Sequence, residues 1–143
     1  MKITRLRVDF DYDFHLFGLI SPVKDYKLAW HLNKSLNLHL RREPDLQFEF
    51  LDKSKIYICN FIFGKEYSSF RLLKNKACEF YNTAKPYIVP ELKEYDYLLV
   101  FKDEADEVLS GEILELLKEV PVVQYVKEID LINLRSKENL IFN

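Results

Sequence analysis

Residues 89–101 read VPELKEYDYLLVF, and the second half of this stretch decides the fold. From Tyr95 to Phe101 every residue except Asp96 is apolar or aromatic. A strand that is apolar on both sides is normally buried on both faces, so we predict a central strand here. Pro90 lacks the amide hydrogen that a ladder needs, so an irregular segment must lead into this strand. We expect the rest of the chain to pack around it.

The composition predicts one compact domain over residues 1–143. The chain is 48% hydrophobic and 15% aromatic, which is enough apolar material for a core and argues against disorder. Its N-terminal residues form no continuous apolar stretch of the secretory type, and no run approaches the ~18 apolar residues of a membrane span. We therefore expect a cytoplasmic protein, without membrane association, whose two cysteines are reduced.

The chain before the central strand predicts one strand, one helix and a meander. Residues 6–16 alternate apolar and polar, which indicates a strand with one dry face, broken or bulged at Gly18. Ser21 is predicted to cap a helix that Pro22 begins and that ends near Asn37. An apolar stripe on this helix is flanked by Trp30, whose truncation would cost ~3–5 kcal/mol if it is core. The meander consists of a polar connection (41–44), a one-sided strand (46–51), a turn (52–54), a second central strand (56–63) and a third strand (67–73).

The remaining segments complete a mixed fold. Residues 74–85 have no clear period and are expected to be a surface segment. An acidic run at 102–106 begins a second helix, which ends at Pro121. A short strand is predicted at 122–126. The segment 136–142 is expected to dock on the body of the domain through its apolar end. The order β-α-β-β-β-β-α-β predicts an α+β domain: a mainly antiparallel twisted sheet with two helices packed on one face.

A motif in the opening stretch resembles a known family. Residues 89–97, VPELKEYDY, are similar to the signature of the IPExxxVDY family, which comprises small, functionally uncharacterised bacterial proteins. Pro90, Glu91, Asp96 and Tyr97 match, whereas Val89 replaces Ile and Tyr95 replaces Val. Further stretches are similar to the family in the same order: 26–33, with Trp30 and Asn33, then 75–76 and 136–140. The resemblance implies a single-domain bacterial protein and carries over no catalytic residue.

The motif carboxylates leave two interpretations open. As an enzyme's acid–base pair, Glu91 and Asp96 would converge on one pocket with separated pKa values. As structural groups, Glu91 would cap a turn and Asp96 would accept hydrogen bonds within the sheet. We favour the structural interpretation, because no third group of known role accompanies them.

Other catalytic or metal chemistry has little support in the sequence. His15, His31 and His39 lack metal-ligand spacing, so no metal site is expected. The sequence has neither a phosphate-binding loop nor a dinucleotide fingerprint, so no cofactor is expected either. Cys59 lies within an apolar strand and is expected to be a core residue. Cys78 follows two lysines, which would lower the pKa of its thiol and make it reactive. An unreactive thiol at the surface or half-buried is the simpler interpretation. Three aspartates at 9, 11 and 13 are interpreted as a solvated strand edge.

Basic residues between 41 and 76 suggest a second possibility. Aromatic residues are interleaved with a group of cations that would contact single-stranded RNA if they shared a sheet face: Arg41, Arg42, Lys65, Arg71, Lys74 and Lys76. The sequence pI of about 5.9 argues against a dedicated nucleic-acid-binding domain.

Charge is distributed unevenly along the chain. Residues 1–76 hold 14 basic and 9 acidic residues (+5), and residues 77–143 hold 7 and 14 (−7), which sum to the net charge of −2. Such asymmetry can mark an oriented interface, but an acidic helix in the second half of the chain also produces it and is the simpler explanation. We predict a non-catalytic protein–protein interaction module, with an unknown partner or with itself as a homodimer, and keep RNA binding and an enzyme as alternatives.

Overall fold

The computed structural model describes residues 14–64, 68–103 and 110–142. Its strands are β1 (His15–Ile20), β2 (Arg41–Glu49), β3 (Lys55–Gly64), β4 (Ser68–Lys74), β5 (Glu79–Tyr81), β6 (Tyr97–Asp103) and β7 (Tyr125–Ile129). Its helices are α1 (Asp25–Leu36) and α2 (Ser110–Lys118), and short 3₁₀ turns lie at Pro90–Leu92 and Lys137–Leu140.

The strands form one antiparallel sheet in the order β2-β3-β4-β6-β1-β7, with β5 pairing with β3 beyond the end of β4. Strand β6 lies between β4 and β1, and its residues from Tyr97 to Phe101 are all buried. The predicted central strand and the α+β class are therefore confirmed.

Both faces of the sheet are covered. On one face the two helices enclose a cluster that contains Phe17, Leu28, Phe70 and Leu117. On the opposite face, the core cluster of the described residues contains no residue of α1 or α2. The segments 77–95 and 131–142, which include β5 and the two 3₁₀ turns, supply the cover there. The prediction that both helices pack on one face is confirmed, and the docked C-terminal segment contributes Leu140, which is fully buried.

The first strand differs from its prediction. Its described part is buried on both faces from Leu16 to Leu19, because β6 and β7 flank it and both clusters use its side chains. Gly18 neither breaks nor bulges the strand, since it pairs in register with Leu98 and Lys127. The alternating pattern before residue 14, including the three aspartates, lies outside the described residues.

The first helix begins later than predicted. Its N-cap is Lys24, and Ser21 is instead buried, with its hydroxyl donating to the Val122 carbonyl at 2.6 Å. The predicted C-terminus is confirmed: Asn37 adopts the left-handed conformation (φ 56°) and its amide donates to the Asn33 carbonyl.

Three further boundaries are corrected. Residues 41–44, predicted as a connection, belong to β2, because an edge strand tolerates Pro44 beside its irregularity. The segment 74–85, predicted to be a surface segment, is exposed over most of its length, but it contains the strand β5 and the buried Asn75 and Ala77. The last strand begins three residues later than predicted, at Tyr125, after the Gln124 amide donates to the Ile20 carbonyl.

Candidate functional site: a lysine-lined cleft

The motif segment is fastened to the body by Asn75. This side chain is fully buried, and its amide nitrogen donates to the carbonyls of Leu92 (2.9 Å), Tyr95 (3.3 Å) and Val89 (3.4 Å). Its oxygen accepts the Val89 amide at 3.1 Å. One amide therefore satisfies four backbone groups of the irregular approach to β6, which fixes the motif loop in a single conformation.

Glu91 is held by the C-terminal segment. Pro90 starts the 3₁₀ turn, and the Glu91 carboxylate accepts the backbone amide of Ser136 (2.6 Å) and its hydroxyl (2.8 Å). Partial burial would raise the pKa of this carboxyl, but hydrogen bonds from its own amide and from Ser136 outweigh that effect and lower the pKa. Glu91 thus clamps the tail as an ionised carboxylate.

Asp96 and Tyr97 hold the connection between β1 and α1. An Asp96 carboxylate oxygen accepts the Ser21 amide at 2.9 Å, and the buried Tyr97 hydroxyl donates to the Val23 carbonyl at 2.6 Å. Burial raises the pKa of the Tyr97 phenol, which therefore stays a neutral donor. Because Glu91 and Asp96 bind different segments, the geometry gives no support to their acting as an acid–base pair.

The held connection forms one wall of a cleft of about 430 Å³. Four lysines line it, Lys24 from the α1 N-cap, Lys74 from the end of β4, Lys76 just beyond it and Lys93 from the motif loop. The lining also includes tyrosines 87, 95 and 97, Asp96, Gln124 and residues 21–23 of the β1–α1 connection. Lys76 also forms an antiparallel backbone bridge with Tyr87, so two lining residues are held side by side.

The cleft has an excess of positive charge. Within residues 14–64, 68–103 and 110–142, none of its four ammonium groups forms an ion pair. Asp96 is the single carboxylate in the lining, and the positive end of the α1 dipole lies at Lys24. Like charges gathered in a concave surface focus a positive potential, so the arrangement suits an anionic group such as a carboxylate or a phosphate.

The predicted RNA-contacting residues are only partly brought together. Lys74 and Lys76 both line the cleft, whereas Arg41 is exposed on the edge strand β2 and Lys65 lies outside the described residues. Arg42 binds Asp45 (2.6 Å) and Asp25 (3.5 Å).

Arg71 is on the opposite face of the sheet from Arg42. Its guanidinium donates to Asn60 (3.0 Å) and lies 4.0 Å from the centre of the Phe142 ring, in the helix-free layer. Arg42 instead lies over Phe61, which belongs to the helix-side core. No single face of the described sheet therefore presents both arginines.

The two motif-like residues of α1 have separate positions. Asn33 is half-buried, and its side chain forms a pair of hydrogen bonds with the Leu40 backbone at 2.7 and 3.2 Å, which shapes the turn into β2. Trp30 is 56% exposed, with the Lys34 ammonium 5.2 Å from its ring centre. The condition attached to the predicted cost of truncating Trp30, that it belongs to the core, is therefore not met.

The cysteines meet across strands. Cys59 is buried in β3, as predicted. The pKa of the Cys78 thiol is raised to about 12. The main cause is the partial burial of the thiol, and the neighbouring Cys59 and Asp45 add to it. This direction is opposite to the effect expected from Lys74 and Lys76, whose side chains line the cleft instead.

Sequence reasoning missed two of the four cleft lysines. Lys24 and Lys93 lie in segments that the chain order separates by about seventy residues, and only β1–β6 pairing brings their connections together. Lys93 could have been considered as a site residue, because it lies within the motif at residues 89–97.

No protein-family model matches this chain, and no curated protein matches it significantly. In the described part of the chain, no helix is both long enough and apolar enough to span a bilayer.

Proposed function

We propose that this protein is a small non-catalytic interaction module whose lysine-lined cleft binds a carboxylate-rich protein surface. The observation that carries the proposal is the gathering of Lys24, Lys74, Lys76 and Lys93 around one concavity without ion-pair partners in the described chain. Asp96 and Tyr97 add support to the proposal, because their hydrogen bonds hold the β1–α1 connection that forms one wall of the cleft.

The chain itself carries a complementary surface. Helix α2 and the residue that follows it expose an acidic ridge, defined here as Glu112, Glu115, Leu116 and Glu119, and Leu116 is 42% exposed within it. These residues recur at helical spacing on one side of α2, while Ile113 and Leu117 face the core. The ridge therefore offers carboxylates around one apolar contact, and one of them, Glu115, also pairs with Lys118 of the same helix at 3.0 Å.

The partner we propose is a second copy of the chain, with the acidic ridge of each copy in the cleft of the other. The cleft and the ridge are separate surfaces of the chain, the cleft between the end of β4, the motif loop and the β1–α1 connection and the ridge on α2, so each copy would supply one of each to a two-fold arrangement. This arrangement also accounts for the charge asymmetry of the sequence, because Lys24, Lys74 and Lys76 fall in the basic part and the ridge in the acidic part.

Sedimentation velocity tests the proposal. Wild-type protein is expected to dimerise in the micromolar range at low salt and to dissociate as salt screens the charges. The variant Lys74→Glu/Lys76→Glu should weaken the dimer at least tenfold. Lys53→Glu/Lys55→Glu is the control, because it makes the same change in net charge at the β2–β3 turn, away from the cleft. A monomer at tens of micromolar in low salt would reject self-association.

Single-stranded RNA is the second candidate ligand, favoured by the presence of Lys74 and Lys76 beside the ring of Tyr87. Binding to an unstructured oligonucleotide should then fall steeply with salt and be lost in the same double variant. Absence of any retardation at low salt would remove this candidate.

An enzyme that uses Glu91 and Asp96 is the least supported possibility, because both carboxylates bind backbone donors in separate segments. Membership of the IPExxxVDY family and a bacterial cytoplasmic setting remain part of the proposal, supported by the matching Pro90, Glu91, Asp96 and Tyr97.

A further inference from the structure

Three potential metal ligands converge beside the edge strand, away from the residues that line the cleft. Asp45 comes from β2, Cys59 from β3, and Cys78 from the residue before β5. One carboxylate oxygen and the two sulfurs all lie within 4.8 Å of one another. The Cys78 amide donates to the Tyr57 carbonyl at 2.9 Å, which fixes residue 78 against β3.

The donor spacing fits a tetrahedral ion. Zinc–sulfur and zinc–oxygen bond lengths imply sulfur–sulfur separations of ~3.8 Å and sulfur–oxygen separations of ~3.5 Å at tetrahedral angles. The Cys78 sulfur lies 3.4 Å from Asp45 Oδ2. The other two separations are below 4.8 Å, and the exposed side chains of Cys78 and Asp45 would rotate to bring the three donors onto one ion.

Arg42 orients the carboxylate. Its guanidinium donates to Asp45 Oδ1 at 2.6 Å, which leaves Oδ2 directed at Cys78. The same guanidinium lies 3.5 Å from the Cys59 sulfur, and a cation bound there would displace it from that contact. Because the Arg42 side chain is 47% exposed, it has room to withdraw while still supporting Oδ1 from outside the ligand set.

We infer that Asp45, Cys59 and Cys78 form a binding site for a thiophilic divalent cation of the zinc class. Two thiolates with one carboxylate are a soft donor set that favours zinc over magnesium or calcium. Three protein ligands leave a fourth position for water or for a group from a partner molecule. The sequence analysis expected no metal because the histidines lack metal-ligand spacing. Asp45, Cys59 and Cys78 also have no short motif spacing, and they meet only through the pairing of β3 with β2 and β5.

Cobalt(II) titration of the reduced full-length protein tests the site. Equimolar binding should produce thiolate-to-cobalt charge-transfer absorption and the visible bands of tetrahedral cobalt, and zinc should abolish both. Cys78→Ser, at an exposed position, should remove the charge-transfer band or at least halve it, and Asp45→Asn should weaken binding at least tenfold. Glu49→Gln, on the same strand, is the control for the lost carboxylate and should bind normally.

Thermal unfolding provides a second readout that does not depend on the spectrum. Excess zinc should raise the melting temperature of the reduced wild type and not that of Cys59→Ser/Cys78→Ser. Either of two results would overturn the inference: cobalt binding that survives in the doubly substituted protein, or a reduced protein that binds no metal and only forms a Cys59–Cys78 disulfide on oxidation.

Discussion

Replacing Gly18 with alanine should destabilise the protein through one side chain, the ring of Tyr95. A Cβ built at Gly18 would lie 2.6, 2.7 and 2.9 Å from three ring carbons of Tyr95. Real carbon contacts do not approach so closely, and both groups are confined, since Tyr95 is 7% exposed and Gly18 pairs on both sides. Overpacking of this kind costs about 1–3 kcal/mol.

Backbone strain does not contribute to this cost. Gly18 has no positive φ, so alanine fits the strand conformation, and a strand-interior glycine is itself unfavourable by about 0.5–1 kcal/mol. In a Tyr95→Ala background the same substitution should therefore be neutral or stabilising. The sign of the Gly18→Ala effect should thus reverse when the ring is removed, which a double-mutant cycle measures as a coupling energy.

Urea unfolding of the four proteins provides the free energies, and thermal melting should show Gly18→Ala lowered by roughly 3–12 °C for a domain of this size. Gly111→Ala is the matched control, because nothing lies within 4 Å of a Cβ there and alanine should be neutral or stabilising. If Gly18→Ala is as stable as the wild type while Tyr95 is present, the packing of this ring on β1 is refuted.

Three other substitutions test the structural assignments. Trp30→Ala should cost less than about 1 kcal/mol in urea unfolding, since the ring is largely exposed, and a cost above about 3 kcal/mol would place it in the core. Asn75→Ala should cost about 2–4 kcal/mol, because it leaves buried groups of the motif loop, including both backbone groups of Val89, without their side-chain partner; a near-neutral result would contradict the anchoring role. Glu91 has a lowered pKa, so its stabilising effect is present above its unfolded pKa and is lost as pH falls through its folded pKa. Glu91→Gln should therefore destabilise the protein at neutral pH and flatten its acid-side stability profile, whereas an unchanged profile would show that the Ser136 contact contributes nothing.

The sequence predicted those elements whose own residue types show whether they are buried. The run from Tyr97 to Phe101 is apolar on both sides, and it lies at the centre of the sheet. Asn37 ends its helix because few other residues accept the left-handed conformation at low cost. These features depend on local chemistry, so periodicity and residue type were sufficient to find them.

The features that the sequence failed to predict depend on distant partners. Gly18 suggests a break when its neighbours alone are considered, yet it makes room for Tyr95, a ring 77 residues away. Ser21 matches an N-cap pattern, but the Val122 carbonyl and the Asp96 carboxylate compete for its groups. The exposed strand β5 has no buried face to produce a pattern.

The candidate site was foreseen only in part, for the same reason. The motif marked Asp96 and Tyr97, and the basic region marked Lys74 and Lys76, as separate features. Only the pairing of β6 with β4 and β1 shows that they share one cleft.

The most direct test of the proposed function is a mixing experiment between two charge-reversed variants, followed by sedimentation velocity. Lys74→Glu/Lys76→Glu presents an acidic cleft to an acidic ridge, and Glu115→Lys/Glu119→Lys presents a basic ridge to a basic cleft. Each variant alone should therefore be monomeric at low salt. Mixed in equal amounts they should form a heterodimer, because both cleft–ridge contacts are complementary again. Two folded variants that stay monomeric when mixed, or that each dimerise alone as well as the wild type, would contradict the proposal that the cleft binds the ridge.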